Sequence, residues 1–146
     1  MFRGRYEHTI DPKGRLALPS AFKKELGEEL FVVITHISSP CLVAYPIVEW
    51  QRFEERLAKL PQFEPSVMTL RRLYVGGAIE CAIDKQGRVL IPPVLREYAR
   101  LERDAYWVGA MRTLEIWSKP AWHEVVEKER AAVSQDVLSK LGELGI

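Results

Sequence analysis

The chain has 146 residues, is 47% hydrophobic and 28% charged, and carries a formal net charge of +1. That length suits one domain, or two small halves sharing a core, since either half alone would bury too little surface. The near-zero charge excludes a general polycationic binder, no apolar run approaches the roughly 18 residues of a membrane span, and two cysteines without a Cys-x-x-Cys pair give no disulfide framework.

In chain order, Tyr6–Ile10 reads as a strand, followed by a tight turn at Asp11-Pro12-Lys13-Gly14. Asp suits the first position of a type I turn, Pro the second and Gly the fourth, where a left-handed backbone closes a short hairpin. Leu16-Ala17-Leu18 is the return strand, and its continuous apolar run predicts burial on both faces. Pro19 ends it and opens a short helix, with Phe22 and Leu26 four apart and Gly27 as its stop. Phe31–Ile34 and Cys41–Tyr45 read as strands joined through Ser38-Ser39-Pro40. A helix follows with Trp50, Phe53, Leu57 and Leu60 on one face, then a linker at Pro61–Ser66.

The series then recurs. Ile10-Asp11-Pro12-Lys13-Gly14-Arg15-Leu16-Ala17-Leu18-Pro19 returns as Ile83-Asp84-Lys85-Gln86-Gly87-Arg88-Val89-Leu90-Ile91-Pro92, 73 residues later. Leu95 and Ala99 repeat Phe22 and Leu26; strands follow at Tyr106–Gly109 and Leu114–Trp117; Trp122, Val125, Val126 and Val133 form a second helix face. The last segment, around Val137, Leu138 and Leu141, is a short apolar helix or a frayed tail. A period this long, used twice, predicts two halves about a pseudo-twofold axis rather than a solenoid.

Positive charge gathers where the turn recurs. Residues 1–24 hold Arg3, Arg5, Lys13, Arg15, Lys23 and Lys24 against Glu7 and Asp11. Residues 71–100 hold Arg71, Arg72, Lys85, Arg88, Arg96 and Arg100 against Glu80, Asp84 and Glu97. Two readings of the arginines stand side by side. In one, the Asp four residues earlier only pins the hairpin, through an exposed pair worth about 0.2–1 kcal/mol. In the other, the tips meet phosphates or guanine edges, which suit the planar guanidinium fork. Candidate DNA contacts are then Arg3, Arg5, Lys13, Arg15, Lys85 and Arg88, with Asp11, Gly14, Asp84 and Gly87 orienting the turns. His8, His36 and His123 show no ligand spacing, and no nucleophile motif or Gly-rich phosphate loop is present. No enzyme activity, metal, cofactor or small-molecule substrate is therefore expected. The opening Met1-Phe2-Arg3-Gly4-Arg5-Tyr6-Glu7 lacks the apolar segment of an export signal, so a cytoplasmic protein is expected.

Met1-Phe2-Arg3-Gly4, with two copies of Asp-x-x-Gly-Arg each followed by an apolar strand and Pro, resembles the MraZ family of bacterial transcriptional regulators over about residues 1–135. The resemblance implies an α+β fold. Two pseudo-symmetric AbrB-like (SpoVT-AbrB) halves, residues 5–48 and 77–121, would interleave into one swapped-hairpin β-barrel core with flanking helices. Residues 49–76 would be helix and linker, and 122–146 a C-terminal helical segment. It also implies a homo-oligomeric ring, nucleoid-associated, binding double-stranded DNA at promoter direct repeats of the division and cell-wall gene cluster as a repressor. The contacts would lie in Asp11–Arg15 and Asp84–Arg88. Lys85-Gln86 replaces Pro12-Lys13, so the two tips are not identical. The competing expectation, prompted by the small net charge, is a structural or partner-binding ring without nucleic acid.

Overall fold

A computed structural model of the chain describes residues 1–27 and 30–146. The first pass gives β1 (Arg5–Thr9), β2 (Arg15–Ala17), α1 (Ser20–Leu26), β3 (Phe31–Thr35), β4 (Leu42–Pro46) and α2 (Ile47–Ala58). Helix α3 (Pro65–Leu70) runs into a π-helical turn, Arg71–Val75. The second pass gives β5 (Ile79–Cys81), β6 (Arg88–Leu90), α4 (Pro93–Tyr98), β7 (Asp104–Ala110), β8 (Thr113–Ser118) and α5 (Lys119–Ala131), and α6 (Gln135–Glu143) follows.

The strands form an antiparallel six-stranded sheet, ordered β1-β7-β8-β4-β3-β5, and a separate β2-β6 ladder. Exchanging the halves, β1 for β5, β3 for β7 and β4 for β8, reverses that order and leaves it unchanged. Each half supplies the edge of the other, because β1 pairs with β7 and β5 with β3. The register locates the pseudo-twofold axis. Leu16 faces Val89 across β2 and β6, and Val43 faces Glu115 across β4 and β8. Each is a pair of equivalent positions, and the neighbouring pairs interchange about it.

One apolar core draws on both halves, joining Leu16, Phe22 and Phe31 to Val89, Leu95 and Trp107. Fully burying one such side chain contributes about 1.5–3 kcal/mol. Trp107 is 0% exposed, and its indole N–H donates to the Ala17 carbonyl at 2.9 Å. That bond ties the small ladder to the large sheet. Helix α2 seats Trp50 on Val32, Ile34 and Val43. Helix α5, capped by the Ser118 hydroxyl accepting from the Ala121 N–H at 3.1 Å, seats Ala121 against Cys41, Tyr106 and Trp117.

Three expectations need correction. The α+β class stands, but no barrel closes among the described residues: β1 and β5 are the two ends of an open sheet. The repeated turn is the reason. It is so tight that β1 meets β2 only at the Ile10–Leu16 bridge, with Ile83–Val89 as its equivalent, and the three-residue β2 then turns away to β6. The return strands alternate rather than being buried on both faces, since Val89 and Ile91 are buried while Leu90 is 54% exposed. Leu60 and Val133 lie beyond the ends of α2 and α5 and are exposed. Part of the expected linker is also helical, because α3 begins at Pro65.

Candidate nucleic-acid interface

Each turn is built by one carboxylate. Asp11 Oδ1 accepts from the backbone N–H of Lys13 at 3.0 Å and of Arg15 at 2.9 Å. Its Oδ2 accepts from Arg15 Nε at 2.6 Å. Asp84 does the same with Gln86 N, Arg88 N and Arg88 Nε at 2.9, 2.9 and 3.1 Å. The backbone closes with Gly14 N donating to Asp11 O at 2.9 Å and Gly87 N to Asp84 O at 3.0 Å. Gly14 and Gly87 take φ of 86° and 74°, a region that costs other residues about 1–2 kcal/mol. The Arg15 backbone N–H, then its side chain, hold the Asp11 carboxyl below the usual carboxylate range, and Arg88 acts likewise on Asp84. Both carboxylates are therefore ionised at neutral pH.

The β2–β6 ladder brings the turns together. Arg15 stands opposite Leu90 and Arg88 opposite Ala17, one residue either side of the axis. Ile91 N donates to Gly14 O at 2.8 Å and Leu18 N to Gly87 O at 2.9 Å, so each turn is laced to the other half's strand. Arg88 Nη1 also lies 3.9 Å from Asp11 Oδ2. Lys13 and Lys85 are exposed at the tips.

The two arginines differ in what remains free. Asp11 occupies only Nε of Arg15, and among the described residues its terminal nitrogens have no hydrogen-bond partner. Arg88 donates from Nη2 to Gln86 Oε1 and from Nε to Asp84. Gln86 stands where the first repeat has Lys13, so the asymmetry in sequence becomes an asymmetry in guanidinium availability.

Two further cations belong to this surface, and site selection by motif missed them. Arg96 on α4 donates from Nε to the Ile91 carbonyl at 2.9 Å. A methyl group on Gly14 would stand 2.7 Å from that Nε. Lys23 on α1 takes the equivalent place, its Nζ 3.3 Å from where a Gly87 Cβ would be. The two are 73 residues apart, the same period as the turns, and that periodicity was the available signal. Lys13, Arg15, Lys23, Lys85, Arg88 and Arg96 thus surround two carboxylates.

Arg3 and Arg5 are placed elsewhere. Arg5 is six residues up the strand from Asp11, about 20 Å of extended chain. Its guanidinium lies 4.9 Å from the Tyr106 ring centre and 4.8 Å from that of Trp122, and 3.7 Å from Glu127. It fastens α5 to the sheet. Arg3 is exposed at the sheet edge, where its charge, after the N-terminal amine, helps hold the Glu25 carboxyl low. Both cysteines are buried, and burial pushes the Cys81 thiol up to about 11 and the Cys41 thiol up as well. Neither is poised as a nucleophile.

Comparison with known proteins matches this duplicated architecture. The family model described as "MraZ protein, putative antitoxin-like" matches twice, over residues 1–73 and 74–141. The chain belongs to the MraZ family. It is 42% identical over 146 residues to the transcriptional regulator MraZ of Caldicellulosiruptor saccharolyticus, covering 100% of both chains. It is 45% identical over 124 residues to that of Caldanaerobacter subterraneus subsp. tengcongensis, covering 85% of each. With the Desulfitobacterium hafniense regulator it shares 47% over 122 residues, 84% of each chain. The boundary between the matched segments falls in the π-helical turn, just before the second copy of the strand–turn–strand unit.

Proposed function

We propose that this chain is a non-catalytic transcriptional regulator that binds double-stranded DNA through the paired turns of the β2–β6 ladder. The observation supporting this most strongly is the juxtaposition of the two turns about one axis, with six cations around two carboxylates in a chain of net charge only +1. Lys13, Arg15, Lys85 and Arg88 form the contacting set, with Lys23 and Arg96 beside them. Asp11 and Asp84 do not cancel the arginines. They take Nε and leave the terminal nitrogens of Arg15 outward, the edge that pairs with guanine or with phosphate. Arg3 and Arg5 stay outside this reading because their positions serve the N-terminal edge and α5.

Family membership supports a regulatory role at promoter repeats of the division and cell-wall genes, with repression as the outcome and the cytoplasm, at the nucleoid, as its place. Phosphate contacts supply most non-specific affinity, and one copy offers few of them. A homo-oligomeric ring presenting several copies of the ladder on one side meets that need. Each further subunit then binds an already tethered duplex, so effective concentration replaces new contacts. Among the described residues no helix is long and apolar enough to cross a membrane. Footprinting on the DNA upstream of the protein's own gene tests the reading. Protection of several short, regularly spaced repeats is expected; protection no different from that of a scrambled duplex would overturn it.

A further inference from the structure

Helix α6 has no partner within its own chain. Val133, Val137, Leu138, Leu141, Leu144 and Ile146 are each between 41% and 84% exposed. Val137, Leu138, Leu141 and Leu144 fall at i, i+1, i+4 and i+7, one face of a helix. The first half shows the corresponding stretch closed. There α3 and its π-helical turn fold back on α2: Val67 is buried, Tyr74 packs on Phe53 with ring centres 5.5 Å apart, and Arg71 donates to Gln62 at 3.1 Å. The second matched family segment runs to Leu141, so α6 ends the second repeat as α3 and its turn end the first. Yet α6 stands off α5 and leaves a cavity of about 600 Å³ walled by Trp122, Val126, Val133 and Val137, with Arg5 and Arg130 at its rim.

We propose that a second copy of this chain fills that cavity, the α6 helices of two copies crossing near Leu141 so that each covers the other's α5–α6 groove. The six exposed apolar side chains present on the order of 600 Å² per copy, hence about 1,200 Å² across a twofold contact, which reaches the size of specific interfaces. The charges fit the same occupant. The groove carries Arg5 and Arg130 with Glu127 and Glu129, and α6 carries Lys140 with Asp136 and Glu143. Both signs on both surfaces allow a self-complementary contact. A membrane surface would call instead for a Lys- and Arg-rich polar face, which α6 lacks. This contact deepens the self-assembly part of the proposed function and rests on that part alone; it does not require DNA.

The test is sedimentation of the full chain against the Leu138→Glu, Leu141→Glu double variant, with thermal melting to verify the fold. The expected result is a mass at least halved, unchanged binding to a duplex with one repeat, and loss of the gain from several repeats. An unchanged mass with unchanged melting overturns the proposal. Single Leu138→Cys and Leu141→Cys variants keep the test independent of the charged pair. Oxidation should give a covalent dimer from at least one of them, and monomer alone from both overturns the contact. If the wild-type protein ignores promoter DNA while the double variant still halves the mass, the DNA reading fails and the α6 contact stands.

Discussion

Arg88, in the second turn, lies 3.9 Å from the carboxylate of Asp11, in the first. The two motifs therefore share one surface rather than acting at opposite ends of the molecule. Asp11 already holds Arg15 Nε at 2.6 Å, so one carboxylate stands between the two arginines and sets their spacing.

That arrangement makes the arginines unequal. Arg15→Ala should weaken binding to promoter DNA by about 1–3 kcal/mol if Arg15 reads a base edge. Arg88→Ala should act in the same direction but less, because Gln86 and Asp84 already engage it. Fluorescence anisotropy on one labelled duplex compares them directly. An equal or larger loss from Arg88→Ala would contradict the ranking.

Lys23 and Arg96 should behave as phosphate contacts. Lys23→Ala should lower affinity about equally for specific and scrambled duplexes and reduce the salt slope by about one. Affinity measured at a series of salt concentrations checks this. A sequence-dependent loss would move Lys23 into the base-reading set.

The turn glycines should differ in stability cost. Gly14→Ala places a methyl 2.7 Å from Arg96 Nε and 2.8 Å from the Ile91 carbonyl oxygen, on top of the left-handed penalty of about 1–2 kcal/mol. Gly87→Ala meets only the flexible end of Lys23 at 3.3 Å and should cost little beyond that penalty. Urea unfolding should rank Gly14→Ala as the more destabilised; the reverse order would show that the Arg96 contact yields.

Acid should loosen the turns. Asp11 and Asp84 have folded pKa values below the ordinary 3.8. For a depressed carboxyl, the stability gained is fully present above the unfolded value and is lost as pH falls through the folded one. Melting temperature should therefore decline below about pH 4, and the Asp11→Asn, Asp84→Asn double variant should show a shallower decline. Parallel profiles for the two proteins would contradict this.

Much of the fold was legible because the period of 73 residues carries geometry as well as composition. Gly14/Gly87 and Leu16/Val89 are equivalent in sequence, and Leu16 faces Val89 at the axis. The closed barrel was not legible correctly: a turn motif states where a hairpin bends but not how far its ladder extends, and here β1 and β2 share one bridge. Arg5 counted as a free cation in a charge window, since nothing local to it signals Trp122, 117 residues away in the chain. Lys23 and Arg96 were visible as charges, but their approach to the glycines depends on each short helix reaching the other half's turn. The masking of Arg88 by Gln86 needed side-chain geometry; the sequence held only the Lys-to-Gln exchange between repeats.

The central claim is that the paired turns read DNA. The most direct test is the Arg15→Ala, Arg88→Ala double variant, measured for affinity to the upstream promoter fragment and to a scrambled fragment at the same salt. The account predicts a collapse of the ratio between the two, with melting unchanged within about 0.5 kcal/mol, the usual range for surface substitutions. A double variant that keeps the wild-type ratio while melting lower would assign both arginines to pinning the hairpins, and would contradict the account.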